Sequence, residues 1–162
     1  MPKIAKFLLN RKESRIPFTQ EGYDKMVGER AALEKERPDA VEHLRKAREM
    51  GDLSENGYYK ASRQRLTFID ARLRRLANIL KRAKIVHTAN TGFIDIGSTV
   101  TLQVKGTEIT YSIVGGYESN PIEHSISHIS PLGKSLMGKR AGDTVEVKAP
   151  AGVMTYTVVS VS

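Results

Sequence analysis

Residues 59 to 83 place apolar or small side chains at Tyr59, Ser62, Leu66, Ile69, Leu73, Leu76, Leu80 and Ala83, in steps of three and four. A 3.5-residue repeat of this kind gathers those side chains on one stripe of an α-helix. Counting back from Gly51, the residues Ala47, Leu44, Ala40, Leu33, Met26 and Tyr23 fit a second stripe, interrupted by Arg37 and Arg30. Two one-sided helices joined by a few residues must bury their stripes on each other. The stretch is therefore expected to form an antiparallel α-helical coiled-coil hairpin. Arms of about 30 residues would each be roughly 45 Å long. Pro38 lacks an N–H and is expected to bend or restart the first helix, with Glu36–Arg37 ending one piece.

The bend of this hairpin falls on "GDLSEN", residues 51 to 56. Gly51 suits a helix C-terminus. Asp52 or Ser54 suits the cap of the next helix, with Glu55 near its positive end. The same two carboxylates, Asp52 and Glu55, can instead be offered outward. Mg²⁺ takes oxygen ligands, keeps several waters, and is often held by one or two carboxylates plus phosphate. Asp52 and Glu55 alone would not make a tight site, but they could complete one that a partner half supplies. Both readings stay open on pattern alone.

Charge favours an anionic partner for this part of the chain. Residues 60 to 84 hold nine Lys or Arg against one acid, Asp70, whereas residues 88 to 162 hold five basic and six acidic residues. The excess behind the overall charge of +8 thus belongs to the first half, where basic flanks would follow phosphates. A composition of 40% hydrophobic and 27% charged residues is that of a folded chain, not a disordered one. The absence of cysteine excludes disulfides, thiolate chemistry and Cys-built zinc sites. No apolar run approaches the ~18 residues of a membrane helix. The apolar stretch of "MPKIAKFLLNRKESR" is too short for a signal peptide and is broken by Arg11 and Lys12. A cytoplasmic protein is expected.

Beyond "HTANTGFIDIG" the period changes from helical to alternating. "TVTLQV" (99–104) and "EITYSIV" (108–114) read as a β-hairpin around "KGT"; "TVEVKA" (144–149) and "VMTYTVVSV" (153–161) read as a second around "PAG". "SPLGKSLMGK" (130–139) opens with a Ser-Pro helix start and ends near glycine. The class is α+β, with domains expected at 16–86 and 93–162 after a basic extension at 1–15, to which no role is assigned. His124 and His128 have a ligand spacing but lie outside any helical pattern, without a third ligand, and read as surface residues.

The segments "IPFTQEGYDKM", "ERPDAVEHLRKAREMGDLSENGYYKAS" and "ISHISPLGKSLMGKRAGDTVEV", with "PAGVMTYTVVSV", resemble the bacterial GreA/GreB transcript cleavage factors. The resemblance runs from about Ile16 to Val161, and its tip is GreA-like. It implies a coiled-coil hairpin followed by an FKBP-like β domain. It also implies that the protein is not itself an enzyme but an accessory factor of bacterial RNA polymerase. In that family the β domain docks at the mouth of the polymerase secondary channel. The hairpin reaches the active centre, where the 3′ end of backtracked RNA is extruded. By this resemblance Asp52 helps hold a second Mg²⁺ shared with the polymerase, and Glu55 positions or deprotonates the attacking water. Arg48 and Arg63 then contact RNA or channel walls, Asn56 and Tyr59 hold the bend or contact RNA, and Ser130 and Pro131 dock on polymerase. No tightly bound cofactor and a monomer are expected.

Three positions depart from the family pattern. Tyr58 stands where an acid is common, Ser54 where some members have Lys, and Ile129 where the docking segment often has Asp or Asn. Two rival functions remain: a secondary-channel regulator that does not promote cleavage, and a general RNA-binding module using the basic arm. Proline isomerisation, which an FKBP-like fold brings to mind, needs an aromatic-lined pocket. The second half offers only Phe93, Tyr111, Tyr117 and Tyr156.

Overall fold

The computed structural model describes residues 14 to 52 and 55 to 162. They fall into two compact units: Asp24–Arg82, and Ala83–Ser162 together with the described residues up to Tyr23. The expected extension at 1–15 lies almost wholly outside the described residues.

The first unit is the helical hairpin. Helix α1 spans Gln20–Glu49 and α2 spans Gly57–Arg82. Met26, Ala40, Leu44 and Ala47 of α1 are buried, as are Ser62, Ile69, Leu76 and Ile79 of α2. The two stripes are thus the seam, with Ile79 an addition that the 3.5-residue count passed over in favour of Leu80. Three clamps cross between the arms with antiparallel register. Arg72 grips Glu29 with both donors (2.6 and 2.8 Å), Arg65 bridges Glu36 and Asp39 (2.8 and 3.2 Å), and Arg37 bonds Asp70 at 2.7 Å. The hydrogen bond from Arg72 holds the Glu29 carboxyl below its ordinary range, and Arg37 does the same for Asp70. Arg37, which interrupts the stripe in sequence, serves as an interhelical clamp.

Pro38 does not divide α1, contrary to expectation: the helix runs unbroken across it. A mid-helix proline forfeits one backbone hydrogen bond and crowds the preceding turn, at about 3 kcal/mol. Around it the Arg37–Asp70 and Arg65–Glu36/Asp39 clamps and the buried Ala40 hold the backbone helical. Local propensity yields here to packing on both sides.

The second unit is built on a five-stranded sheet. Its strands are β3 (Thr99–Val104), β4 (Thr107–Val114), β5 (Ser125–Ser127), β6 (Thr144–Ala149) and β7 (Gly152–Val161), in the order β5-β4-β3-β7-β6. Both expected hairpins are present as the antiparallel pairs β3–β4 and β6–β7. Val100, Leu102, Ile113, Val145 and Val158 face one core with Ile94 and with Leu136 of the short helix α3 (Pro131–Leu136). This is the α+β domain that alternation and the resemblance implied. Strand β5, which pairs parallel to β4, was not legible as a strand.

A second, two-stranded sheet was also unforeseen. β1 (Ile16–Phe18) pairs in parallel with β2 (Ala83–Ile85), so the residues that bracket the helical hairpin in sequence bond to each other. Phe18 is fully buried, stacked on Tyr117 at 6.4 Å between ring centroids and edge-on to Tyr23 at 6.5 Å. Just after β1, Thr19 caps α1: its hydroxyl accepts from the Gly22 N–H at 3.1 Å. The carboxylate of Glu118 in turn accepts from the Thr19 N–H, the Thr19 hydroxyl and, at 2.7 Å, the Gly115 N–H. This is the chemistry of a capping box, in which a residue at the third helical position normally supplies the carboxylate. Here that position is Gly22, and the carboxylate comes from 99 residues away. Gly22 is buried because Glu118 fills the place of its side chain: a Cβ there would lie 1.6 Å from Glu118 Oε1.

Candidate functional site

The turn between the helices is closed by Gly51 and Asn56. Gly51 has φ +105°, a conformation that side-chain-bearing residues rarely adopt, and it ends α1 as expected. Asn56 caps α2. Its Oδ1 accepts from the Tyr59 N–H at 3.2 Å, and its Nδ2 donates across the turn to the Ala47 carbonyl at 3.3 Å. One side chain thus satisfies a helix N-terminus and a helix C-terminus together. The sequence offered Asp52 or Ser54 for this cap. Because α2 begins at Gly57, the D-x-x-E spacing of Asp52 and Glu55 lies wholly before the helix, and the cap passes to Asn56. Leu53 and Ser54 are outside the described residues.

Asp52 and Glu55 are both solvent-exposed at this turn. Carboxylate oxygens in water are suitable ligands for a hard cation such as Mg²⁺. No group of three or more His, Cys, Asp or Glu able to hold a metal occurs among the described residues. Asp52 and Glu55 are of the number and type of carboxylates from which Mg²⁺ is often held together with phosphate oxygens and water. Arg48, on the last turn of α1, and Arg63, on the second turn of α2, are likewise exposed, and Tyr59 is half-buried. Tyr58 turns back on α1 instead of facing outward alone. Its hydroxyl lies 2.8 Å from His43 Nδ1, with ring centroids 6.2 Å apart, while His43 Nε2 lies 3.4 Å from Asp39. The tip is braced from both sides by uncharged contacts, Asn56 and Tyr58, and its acids remain at the surface.

The second predicted locus, Ser130–Pro131, is a rigid corner. Ser130 caps α3: its hydroxyl accepts from the Gly133 N–H at 3.0 Å and donates to the Ser127 carbonyl at 2.7 Å. Pro131 occupies the first helical position, where its missing N–H is harmless. Gly133 is buried because a Cβ would meet the Ser127 carbonyl oxygen at 2.0 Å. The result presents Pro131 and the 56% exposed Ile129 at the surface of a fixed turn. His124 is exposed and packs on Tyr111, and His128 Nδ1 lies 3.3 Å from the Val114 carbonyl.

Comparison with known proteins joins both loci to one family. Residues 16–85 match the family model described as "Transcription elongation factor, N-terminal", and residues 89–162 match "Transcription elongation factor, GreA/GreB, C-term". The chain is 43% identical over 153 residues to transcription elongation factor GreA of a Nitratiruptor species, covering 92% of this chain and 94% of that one. It is 38% identical over 155 residues to transcription elongation factor GreA of Bacillus licheniformis, covering 93% and 98%. Among solved structures, that of GreA factor homolog 1 of Thermus thermophilus is 28% identical with a TM-score of 0.44, covering 91% of this chain and 99% of that one.

Proposed function

Because this chain belongs to the GreA/GreB transcription elongation factor family, we propose that it stimulates RNA polymerase to cleave its own backtracked transcript. Asp52 and Glu55 are the residues it lends to that reaction. The observation that carries the reading is at the tip. The capping role that would explain two acids there falls to Asn56, and both carboxylates lie at the surface.

In this reading the β domain docks at the mouth of the polymerase secondary channel through the corner at Ser130 and Pro131, and the hairpin carries its tip to the active centre. Asp52 supplies oxygen ligation to a Mg²⁺ that the polymerase's own carboxylates hold incompletely. A Mg²⁺ held there would supply Lewis-acid activation of water and charge neutralisation at the phosphate. Glu55 orients the attacking water and accepts its proton. Arg48 and Arg63 flank the tip and attract the extruded 3′ end of the RNA, and Tyr59 and Asn56 hold the turn they flank. The protein is an accessory factor, and the catalyst is the polymerase. It acts in the cytoplasm, as a monomer, with no cofactor of its own. Among the described residues no helix is long and apolar enough to cross a membrane.

The test uses a backtracked bacterial elongation complex with 3′-labelled RNA and Mg²⁺. Faster release of short 3′ fragments, abolished by Asp52→Ala or Glu55→Ala while polymerase binding persists, is the expected result. Binding without stimulation would identify a non-cleaving occupant of the channel instead. A Pro131→Asp change should weaken polymerase binding yet leave cleavage recoverable at high protein concentration; unaltered binding would remove Pro131 from the docking surface.

A further inference from the structure

The cap at the hairpin tip sits next to a glycine that neither packing nor backbone requires. Gly57 has ordinary helical backbone without a positive φ, and a Cβ added there would meet nothing within 4 Å. In a helix such a glycine costs backbone entropy. What it does provide is an unshielded backbone nitrogen beside Asn56, in the one Asn–Gly pair of the sequence. The side-chain amide carbon of an asparagine can be attacked by the following backbone nitrogen, which closes a five-membered succinimide ring. A side chain on the following residue hinders that approach, and glycine has none.

The fold prepares both reacting groups. Gly57 is exposed, and at the first position of α2 its N–H has no intrahelical carbonyl to bond. The Oδ1 of Asn56 accepts from the Tyr59 N–H at 3.2 Å, which draws electron density from the carbon under attack. The other asparagines among the described residues lack one condition or the other. Asn78 precedes Ile79 in the middle of α2, where the backbone N–H belongs to the helical ladder. Asn90 is exposed, but the β-branched Thr91 follows it and donates its N–H to the Ala89 carbonyl at 2.8 Å. Asn120 precedes Pro121, whose nitrogen carries no proton.

We propose that Asn56–Gly57 is a site of spontaneous deamidation that limits the working life of the tip. The Gly57 nitrogen bonds to Cγ of Asn56 and gives up its proton to water. The Cγ–Nδ2 bond breaks, and the amide leaves as ammonia after taking a proton from water. A water molecule then opens the succinimide at either carbonyl. Breaking the Cγ–N bond gives aspartate, and breaking the backbone C–N bond gives isoaspartate. Neither product keeps the Nδ2 donor that bonds the Ala47 carbonyl at 3.3 Å, and isoaspartate also lengthens the main chain just ahead of α2. The brace between the end of α1 and the start of α2 is lost, next to Asp52 and Glu55. The loss of activity that follows rests on the cleavage reading; the modification itself does not.

The test ages the full chain in buffer at physiological temperature. The tryptic peptide 49–60 is followed by mass spectrometry for the exchange of ammonia for water, and isoaspartate is counted by enzymatic methylation with labelled S-adenosylmethionine. Asn56 is expected to react at least about tenfold faster than Asn90 in the same samples. Gly57→Ala, which the open space around Gly57 accommodates, should slow the reaction by about the same factor. Reaction no faster than at Asn90 would mean that the hydrogen bonds of the cap shield Asn56, and overturns the proposal. So does reaction undiminished by Gly57→Ala, which would exclude the route through that nitrogen. Aged protein should lose stimulation of transcript cleavage in proportion to the modified fraction, while Gly57→Ala aged alongside keeps it. Full stimulation from modified protein overturns the limit on working life. Fresh protein that binds polymerase without stimulating cleavage would sink the tip reading and leave the modification standing.

Discussion

Replacing Gly22 with alanine should destabilise this protein, and removing Glu118 should reverse the sign of that effect. In an ordinary helix interior, glycine to alanine stabilises by about 0.5–1 kcal/mol. Here the new methyl would sit 1.6 Å from Glu118 Oε1. The carboxylate could escape only by abandoning the Thr19 N–H, the Thr19 hydroxyl and the Gly115 N–H. Hydrogen bonds to a charged group contribute about 1.5–3 kcal/mol each, and three sharing one half-buried carboxylate sum to less than three times that. Glu118→Ala is therefore expected to cost about 3 kcal/mol. Gly22→Ala should cost about 2, being the same loss offset by helix propensity. In the Glu118→Ala background the clash is gone, and Gly22→Ala should add about 0.5–1 kcal/mol of stability. The four proteins form a double-mutant cycle, measured by urea unfolding and by exchange protection of the Thr19 and Gly115 amides. Gly22→Ala that is neutral or stabilising with Glu118 present would refute the claim that the carboxylate is pinned.

Asn56→Ala should lower hairpin stability by about 1–2 kcal/mol through loss of the cap and of the bond to Ala47. Circular dichroism melts of Asn56→Ala against the parent protein read this loss directly. Pro38→Ala should raise stability by about 2 kcal/mol, since the helix already runs through that position and regains a backbone donor; an unchanged melting temperature would count against a continuous α1. Glu29 and Asp70 have folded-state pKa values depressed by Arg72 and Arg37. Their contribution is therefore complete above the ordinary carboxylate range and lost as pH falls through the lowered values. The hairpin should lose stability below about pH 4.5, and Glu29→Gln should flatten that decline in thermal melts.

The parts of this molecule that were legible in sequence are those fixed by neighbours along the chain. The seam of the hairpin follows from three- and four-residue spacing, and β3, β4, β6 and β7 follow from alternation around glycine turns. Gly51 and Ser130 announce themselves because a positive φ and an N-cap are local demands. What could not be read depends on distant partners. Strands β1 and β2 have three residues each, too few for a period, and exist because residue 16 meets residue 83. Nothing near Gly22 in the chain marks it, because the group that fills its side-chain space, Glu118, is distant in sequence. The tip pattern offered Asp52 or Ser54 as the cap, and only the start of α2 at Gly57 passes that role to Asn56. The nine-to-one excess of cations over residues 60–84 overstated the charge available to a ligand, since Arg65 and Arg72 are already held by acids on α1.

The pairing of β1 with β2 bears on how such a chain can change its length. Parallel neighbours cannot be joined by a tight turn; they need a crossover of a dozen residues or more. The helical hairpin is that crossover, so deleting it outright would leave the two strands without a workable link. Trimming it is another matter. Matched removal of seven residues from each arm keeps the seam in phase and the tip at the turn, and shortens the arm by about 10 Å. Reach is then a quantity that can be varied in steps, by engineering or by descent, with the remaining seven-strand scaffold left untouched.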